Sequence, residues 1–279
     1  MIDIIIPVYN TPINDLIRCF KSIKNQTYTN YLVYIIDDGS NNNTKEFLDN
    51  YSKQNKQFII KHINNKGVSH ARNIGIDISN NEYLVFIDSD DTINENFLKE
   101  AYQIIEENNL DLLIGGYNEI KDNKIIKTRK CLEGLHIYDK NNKIRLLEKL
   151  LSGKTNNYNK EIDDCPTGRI YTRIFKRSSL KGLRFNENIK ISEDTLFMIY
   201  YVKQALKIGI IDKIWYNYYK NNYSISNATK KNILINNIND FIKEIKKLLE
   251  KEENKELINS YKTRIEKANN YINELKNAN

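Results

Sequence analysis

The sequence predicts an α/β fold: a mostly parallel central sheet flanked by helices, with a C-terminal α-helical extension. Two observations predict the sheet. Over the first hundred residues, short apolar runs alternate with segments of helical period, the pattern of parallel strands joined by crossover helices. Three of these runs end in the polar clusters Pro7-Val8-Tyr9-Asn10, Asp37-Asp38-Gly39-Ser40 and Asp88-Ser89-Asp90-Asp91. Ligands of parallel sheets bind beyond the carboxyl ends of the strands, so these clusters are expected to converge on one edge. A third observation predicts the extension: from about Thr229, apolar residues recur at spacings of three and four.

Ile2 to Val8 reads as a buried strand, closed by the turn at Asn10-Thr11-Pro12. Asn14 to Lys24 follows as a helix with Leu16, Ile17, Phe20 and Ile23 on one face. Tyr31 to Ile36 is the second strand, Thr44 to Asn55 a helix, and Phe58 to Ile63 the third strand. Gly67 opens a helix from about Val68 to Ile78, and Tyr83 to Ile87 is the fourth strand. The section from about Leu110 to Ser226 has short strands (Leu112 to Ile114, Lys124 to Thr128), a polar loop from Gly153 to Cys165 and a few helices. The tail carries two stripes, Leu234 to Leu248 and Leu257 to Leu275, joined near Glu252-Glu253-Asn254. Such stripes pack on the domain or on a second subunit; dimerisation is the slightly favoured expectation.

Composition narrows the class. Apolar residues at 40% and charged residues at 28% make a globular balance, and no run approaches eighteen consecutive apolar residues, so no transmembrane helix is predicted. The start lacks the basic region and cleavage site of a signal peptide. Cys19, Cys131 and Cys165 are far apart and odd in number, which suggests neither a disulfide framework nor a zinc site and points to a reducing cytoplasm. The net charge of +7 is scattered rather than striped, so no nucleic-acid partner is expected and at most peripheral contact with an anionic membrane.

The most informative stretch is Phe86-Ile87-Asp88-Ser89-Asp90-Asp91, where an apolar strand ends in three carboxylates within four residues. A hard divalent cation that keeps positions open for phosphate oxygens neutralises such a cluster. The alternative is an acidic cap, with Asp91-Thr92 preceding a helix. Asp38, in a tight turn, can accept from a nucleobase N–H, and Tyr9 can stack on a base above Pro7. Gly67 permits close backbone approach at a helix start, where unpaired N–H groups attract anions; Asn65 as a helix cap and Arg72 as a surface residue are the alternative. Glu193-Asp194 heads a helix beginning near Thr195, which fits ordinary helix-start chemistry or a general base whose ionised form the helix dipole favours.

Ile4-Ile5-Ile6-Pro7-Val8-Tyr9-Asn10, Asp37-Asp38-Gly39-Ser40, Asn65-Lys66-Gly67, Ala71-Arg72-Asn73-Ile74-Gly75, Asp88-Ser89-Asp90-Asp91 and Ser192-Glu193-Asp194-Thr195-Leu196-Phe197 occur in this order. In order and spacing the chain resembles family-2 glycosyltransferases of the GT-A fold, the bacterial surface-glycan type, over about residues 1 to 226. The resemblance implies a nucleotide-binding half at 1–105, an acceptor-binding half at 106–226 and an uncovered helical tail at 227–279. It implies that Pro7, Tyr9 and Asp38 hold the uridine of a UDP-sugar, with Asn65, Lys66 and Arg72 in the segment that contacts base, sugar or pyrophosphate. Asp88, Ser89 and Asp90 form a D-x-D motif in which Asp90 or Asp91 binds Mn²⁺ or Mg²⁺ while Asp88 reaches ribose or sugar. Asp194 is the implied base with Glu193 beside it, and Asp163 or Asp164 stand as later candidates. The segment Trp215 to Lys220, leading to Ser224-Ile225-Ser226, resembles the family's closing strand and phosphate-side loop. Family members often carry Arg there, where this chain has Tyr219, Lys220 and Asn221.

The implied reaction is inverting, metal-dependent transfer of a sugar from a UDP-sugar to a hydroxyl of a saccharide or lipid-linked saccharide acceptor, at the cytoplasmic side of the cell membrane. A sugar-nucleotide nucleotidyltransferase shares the sheet and carboxylates but needs a Gly-rich loop with Arg after the first strand, which Pro7-Val8-Tyr9-Asn10-Thr11 is not. A non-catalytic nucleotide- or glycan-binding module has no need of Glu193-Asp194.

Overall fold

A computed structural model describes residues 1–131, 133–152, 168–220 and 231–277. In the first half the elements run β1 (Ile2–Val8), α1 (Ile13–Lys24), β2 (Tyr31–Asp37), α2 (Asn42–Gln54), β3 (Phe58–His62), α3 (Val68–Ile78), β4 (Tyr83–Phe86), β5 (Thr92–Ile93) and α4 (Phe97–Glu107). There follow β6 (Leu112–Lys121), β7 (Lys124–Arg129), β8 (Leu135–Tyr138), α5 (Ile144–Ser152), β9 (Arg173–Lys176), α6 (Glu193–Gln204) and β10 (Ile208–Tyr219). Two long helices, α7 (Lys231–Leu249) and α8 (Lys255–Asn277), complete the described chain.

The strands form one sheet in the order β3-β2-β1-β4-β9-β6-β10-β5, with β7 on β6 and β8 on β10. β1, β2, β3 and β4 are mutually parallel, as are β6 and β10, whereas β9 runs antiparallel between β4 and β6. Ile2, Ile4, Ile5 and Ile6 are fully buried because helices cover both faces of β1. Pro7 is tolerated in this central strand for a geometric reason. The β4 ladder ends where Ile87 N–H meets Ile5 O, and Pro7, two residues on, points its missing donor past that end. α3 lies close against β1: a Cβ on Gly75 would sit 2.4 Å from Ile5 Cγ2.

The sequence placed the first four strands and three helices within two residues of their ends. Three features differ. Asp91-Thr92 does not cap a helix: Thr92 and Ile93 pair with Asn217 and Tyr216, and α4 starts only at Phe97. β6 runs on to Lys121, because β10, β9 and β7 give it partners far away in sequence. Cys131 is disulfide-bonded, where the cysteine spacing suggested no disulfide framework, while Cys19 is a buried free thiol. The tail packs on the domain: Phe241, Ile245, Leu248, Leu257 and Tyr261 join one core with Leu147, Leu150, Leu151, Ile199 and Val202 of α5 and α6. The far ends of α7 and α8 close on each other through Ile238, Ile242 and Ile272. No helix among the described residues is long and apolar enough to cross a membrane.

Candidate functional site

The parallel register aligns Val8 with Asp37, and Ile5 with Phe86, so the three polar clusters do emerge at one edge. Asp38 is 3% exposed and spends its carboxylate locally: Oδ1 accepts from Lys66 N–H at 2.8 Å and Oδ2 from Gly67 N–H at 2.7 Å. It therefore takes up two unpaired donors at the entry to α3, whose N-cap is Gly67 at φ +98°, not Asn65. Gly39 is required beside it, since its φ is +78° and a Cβ would stand 2.8 Å from Asn65 N. Tyr9 is 50% exposed. Asn65 and Lys66 are exposed too, and Lys190 Nζ donates to Lys66 O at 3.1 Å.

The three acids after β4 take three different positions. Asp91 is fully buried; Oδ2 accepts from Tyr216 Oη at 2.7 Å and Oδ1 from Tyr219 N–H at 2.8 Å. Burial, then the charges of Asp90 and Asp88, push its pKa well up. The expected metal ligand Asp91 thus has both oxygens engaged in anchoring β10. Ser89 is buried with its hydroxyl on Thr11 Oγ1 at 2.7 Å, rather than open to a ligand. Asp88 and Asp90 are half-buried. Arg18 donates to Asp90 O at 2.5 Å, ion-pairs with Asp15 at 2.7 Å and stacks on Tyr219 with 3.8 Å to the ring centroid. Lys220 turns away to Glu119 at 2.6 Å, so the cation at this corner comes from α1. Asn221 and Ser224-Ile225-Ser226 lie outside the described residues, as do Asp163, Asp164 and the whole Gly153 to Cys165 loop.

Arg72 is the centre of the site. The sequence aimed it at the donor or the surface, yet it is 3% exposed and grips three carboxylates. Nη1 reaches Asp194 Oδ1 at 2.7 Å and Glu193 Oε1 at 3.4 Å, and Nη2 reaches Asp88 Oδ1 at 3.0 Å. Asp194 Oδ2 also accepts from Ile170 N–H at 3.3 Å. Asn73, one residue on, fixes the loop before α6: its amide donates to Phe185 O and Glu187 Oε1, both at 3.0 Å, and accepts from Phe185 N–H at 2.8 Å. Ser192 then enters α6 at φ +63°, which presents Glu193 and Asp194 to Arg72.

The helix dipole alone does not keep this pair ionised. Burial, then repulsion from Asp194, pushes Glu193 up to about 7, with Arg72 opposing. Burial likewise raises Asp194 against the pull of Arg72. The same excess of negative charge reaches Cys19, whose thiol is pushed up by burial and then by Asp91 and Asp90.

Sequence reading named the segment Trp215 to Lys220 but not what Tyr216 and Tyr218 do in it. Tyr216 Oη accepts from Asp88 N–H at 3.1 Å while donating to Asp91, so one hydroxyl joins both acids. The signal was present: Tyr216 and Tyr218 are two apart and share a strand face. Tyr171 stacks on both, at 4.5 and 5.9 Å between centroids.

No group of three or more His, Cys, Asp or Glu side chains among the described residues is placed to cage a metal. A Mg²⁺- or Mn²⁺-type site on one or two carboxylates plus substrate phosphates needs no such cage. The negative field felt by Cys19 and Asp91 fits a cation arriving with its phosphates.

The family model "Glycosyl transferase family 2" matches residues 3–181. The glycosyltransferase GlyG of Streptococcus pneumoniae serotype 4 is 36% identical over 118 residues, 42% of this chain and 39% of that protein. The poly(ribitol-phosphate) beta-glucosyltransferase of Bacillus spizizenii is 28% identical over 78% of this chain and 32% of its own length. The chain thus spans well under half of these two curated relatives. Among solved structures, S. aureus TarS 1-349 in complex with UDP-GlcNAc superposes with TM-score 0.68 at 22% identity, covering 88% of this chain and 66% of that one, which supports the GT-A fold. With strand-end clusters, Arg72 and the head of α6 gathered at one edge, and the family model spanning most of the sheet, the chain belongs to glycosyl transferase family 2.

Proposed function

We propose that this chain moves a sugar from a UDP-sugar to a hydroxyl of a saccharide or lipid-linked saccharide acceptor in surface-polysaccharide assembly, with inversion at the anomeric carbon. The observation that carries the reading is the Arg72 cluster, which holds Asp194, Glu193 and the strand-end Asp88 on one guanidinium. The UDP-GlcNAc complex of TarS and the names of the relatives support it.

Pro7, Tyr9 and the Asp38 clamp shape the nucleoside crevice, with Tyr9 offering an exposed ring to the base and Asn65 and Lys66 lining the opposite lip. Asp38 retains a second lone pair on each oxygen for a base N–H. Asp90, with Asp88 beside it, would hold Mn²⁺ or Mg²⁺, which when bound neutralises the charge that develops on the departing diphosphate. Tyr216, itself bonded to Asp91, holds the backbone of Asp88 in place.

Asp194 takes the acceptor hydroxyl's proton. Such a hydroxyl becomes acidic only as the glycosidic bond forms, so a base in hydrogen-bond reach is required. Arg72 keeps Asp194 oriented and opposes the burial that raises its pKa. One base on the face opposite the leaving group suffices for a single displacement, which inverts the configuration. Residues 1–226 carry this chemistry and the tail supports it from outside. A panel of UDP-sugars scored by UDP release, with Mn²⁺ and with excess chelator, tests the reading. Metal-dependent release from at least one donor is expected; no release from any, or full turnover in chelator, counts against it.

A further inference from the structure

The hairpin of β6 and β7 carries a surface that nothing described above uses. Asp122 and Asn123 both sit at positive φ, +50° and +58°, the geometry of a tight two-residue turn. β9 runs antiparallel to both β4 and β6, so β6 points the same way as β4. The end of β6 is aligned with the end of β10: Ile120 pairs with Tyr219, whose N–H holds Asp91. The hairpin tip therefore leaves the sheet at its carboxyl edge, the edge that carries the strand-end acids.

Residues 121–128 are all exposed, and the charge of the hairpin is one-sided. Lys121, Lys124, Lys127, Arg129 and Lys130 stand against a single acid, Asp122. Arg129 is paired with Glu119 at 3.0 Å, but among the described residues the lysines form no ion pair. Lys121 and Lys124 face each other directly across the ladder, which like charges disfavour unless a counter-charge approaches. Between Lys124 and Lys127 lie Ile125 and Ile126, 60% and 49% exposed. They are the one pair of exposed large apolar residues adjacent in the chain among the described residues. A bulge falls here: Ile120 pairs with Ile125 and Glu119 with Lys127, so Ile126 is left without a partner on β6.

This mixture selects the occupant. A second copy adding to the β7 edge would set its lysines against these, and lysines are how edge strands avoid such pairing. A nucleic acid would satisfy the lysines and leave the isoleucines in water. An anionic lipid surface satisfies both. Its headgroups meet the ammonium groups, apolar side chains enter the acyl boundary, and the lysine stems span the two.

We propose that the β6–β7 hairpin docks this protein on an anionic membrane surface, through Ile125 and Ile126 with Lys121, Lys124, Lys127 and Lys130 around them. Docking there holds the carboxyl edge of the sheet at the lipid. Lipid binding is read without substrate, so its failure leaves the glycosyl-transfer reading standing.

Co-sedimentation of the full chain with vesicles, at low salt and without nucleotide, is the test. The vesicles are phosphatidylcholine alone, or phosphatidylcholine and phosphatidylglycerol in equal parts. Wild type is expected to partition onto the anionic vesicles at least about tenfold more strongly than onto the neutral ones. Ile125→Thr/Ile126→Thr keeps β-branched residues in the strand and should lower that partition at least about fivefold. Lys124→Gln/Lys127→Gln should lower it about tenfold or more. All four side chains are exposed, so both variants retain the fold and melt with wild type. Lys243→Gln/Lys247→Gln removes the same charge from exposed positions of α7 and should bind within about twofold of wild type. No partition onto either vesicle overturns the docking, as does equal partition onto both. Hairpin variants that bind like wild type, or an equal loss in the α7 variant, overturn its siting on the hairpin. A wild type that is dimeric in light scattering and becomes monomeric in Ile125→Thr/Ile126→Thr assigns the face to a second copy and overturns it too.

Discussion

Arg72 Nη1 and Asp194 Oδ1 are 2.7 Å apart although 122 residues separate them in the chain. This contact joins α3, packed on the β1–β4 half of the sheet, to the head of α6, and it sits where Arg72 is buried and Asp194 largely so. Removing one partner of such a buried pair typically costs about 3–5 kcal/mol, because the charges left behind are unpaired. Arg72→Met is therefore expected to lower unfolding free energy in urea by about that amount. Arg72→Lys keeps one charge but cannot span Asp88 and Asp194 together, so it should recover part of the stability and little of the transfer rate. A loss below about 1 kcal/mol in the Met variant, the range of exposed pairs, would show that the cluster does not carry this load.

The raised pKa of Glu193 has a signed consequence. A carboxyl that titrates near 7 when folded and near 4.5 when unfolded binds its proton more tightly in the native state. It therefore favours folding at low pH, and stability falls as pH rises from about 4.5 to about 7, then levels. Melting temperatures between pH 5 and 8 should show this decline in the wild type and a flatter profile in Glu193→Gln. Parallel profiles would place the titration on another group.

Tyr216 is expected to matter more than an ordinary core tyrosine. Its hydroxyl donates to fully buried Asp91 and accepts from Asp88 N–H, so Tyr216→Phe leaves the buried Asp91 carboxylate and the half-buried Asp88 amide each short of a partner. A destabilisation of about 1–3 kcal/mol follows from denaturant titration. Because Asp88 and Asp90 flank the lost bond, half-maximal Mn²⁺ for transfer should also rise. A Phe variant matching wild type in both measurements would reduce the hydroxyl to a bystander.

Much of this site was legible in the sequence, and the gaps have physical causes. The strand-end clusters were readable because each is local: Pro7 to Asn10, Asp37 to Ser40 and Asp88 to Asp91 are contiguous, and parallel topology brings them together. That Glu193 and Asp194 head a helix was readable too, and the structure has α6 begin at Glu193. What each acid does was not, because partners decide it across long separations. Asp91 became an anchor through Tyr216 and Tyr219, and Arg72 became a bridge through Asp194. β5 escaped notice at two residues long, since its existence rests on pairing with β10 rather than on any pattern of its own. The tail's two stripes showed their helices plainly, but periodicity does not say which surface they cover.

That surface proves to be α5 and α6. Ile245 is fully buried in the shared core, so Ile245→Ala should destabilise the whole protein by about 2–5 kcal/mol in a single cooperative transition. Ending the chain before Lys231 uncovers Leu150, Leu151 and Val202 and is expected to lower the melting temperature and promote aggregation in light scattering. An unaltered melting temperature on truncation would mean that the tail is dispensable to the fold.

Asp194→Asn tests the central claim most directly, through paired measurements of donor binding and sugar transfer. The side chain keeps its shape and one acceptor oxygen toward Arg72, but it can no longer take a proton. UDP-sugar affinity should stay within a few-fold of wild type while transfer falls by about 10²–10⁴, the usual cost of losing a general base. Transfer near the wild-type rate, with donor binding intact, would contradict the account and move the base to Glu193.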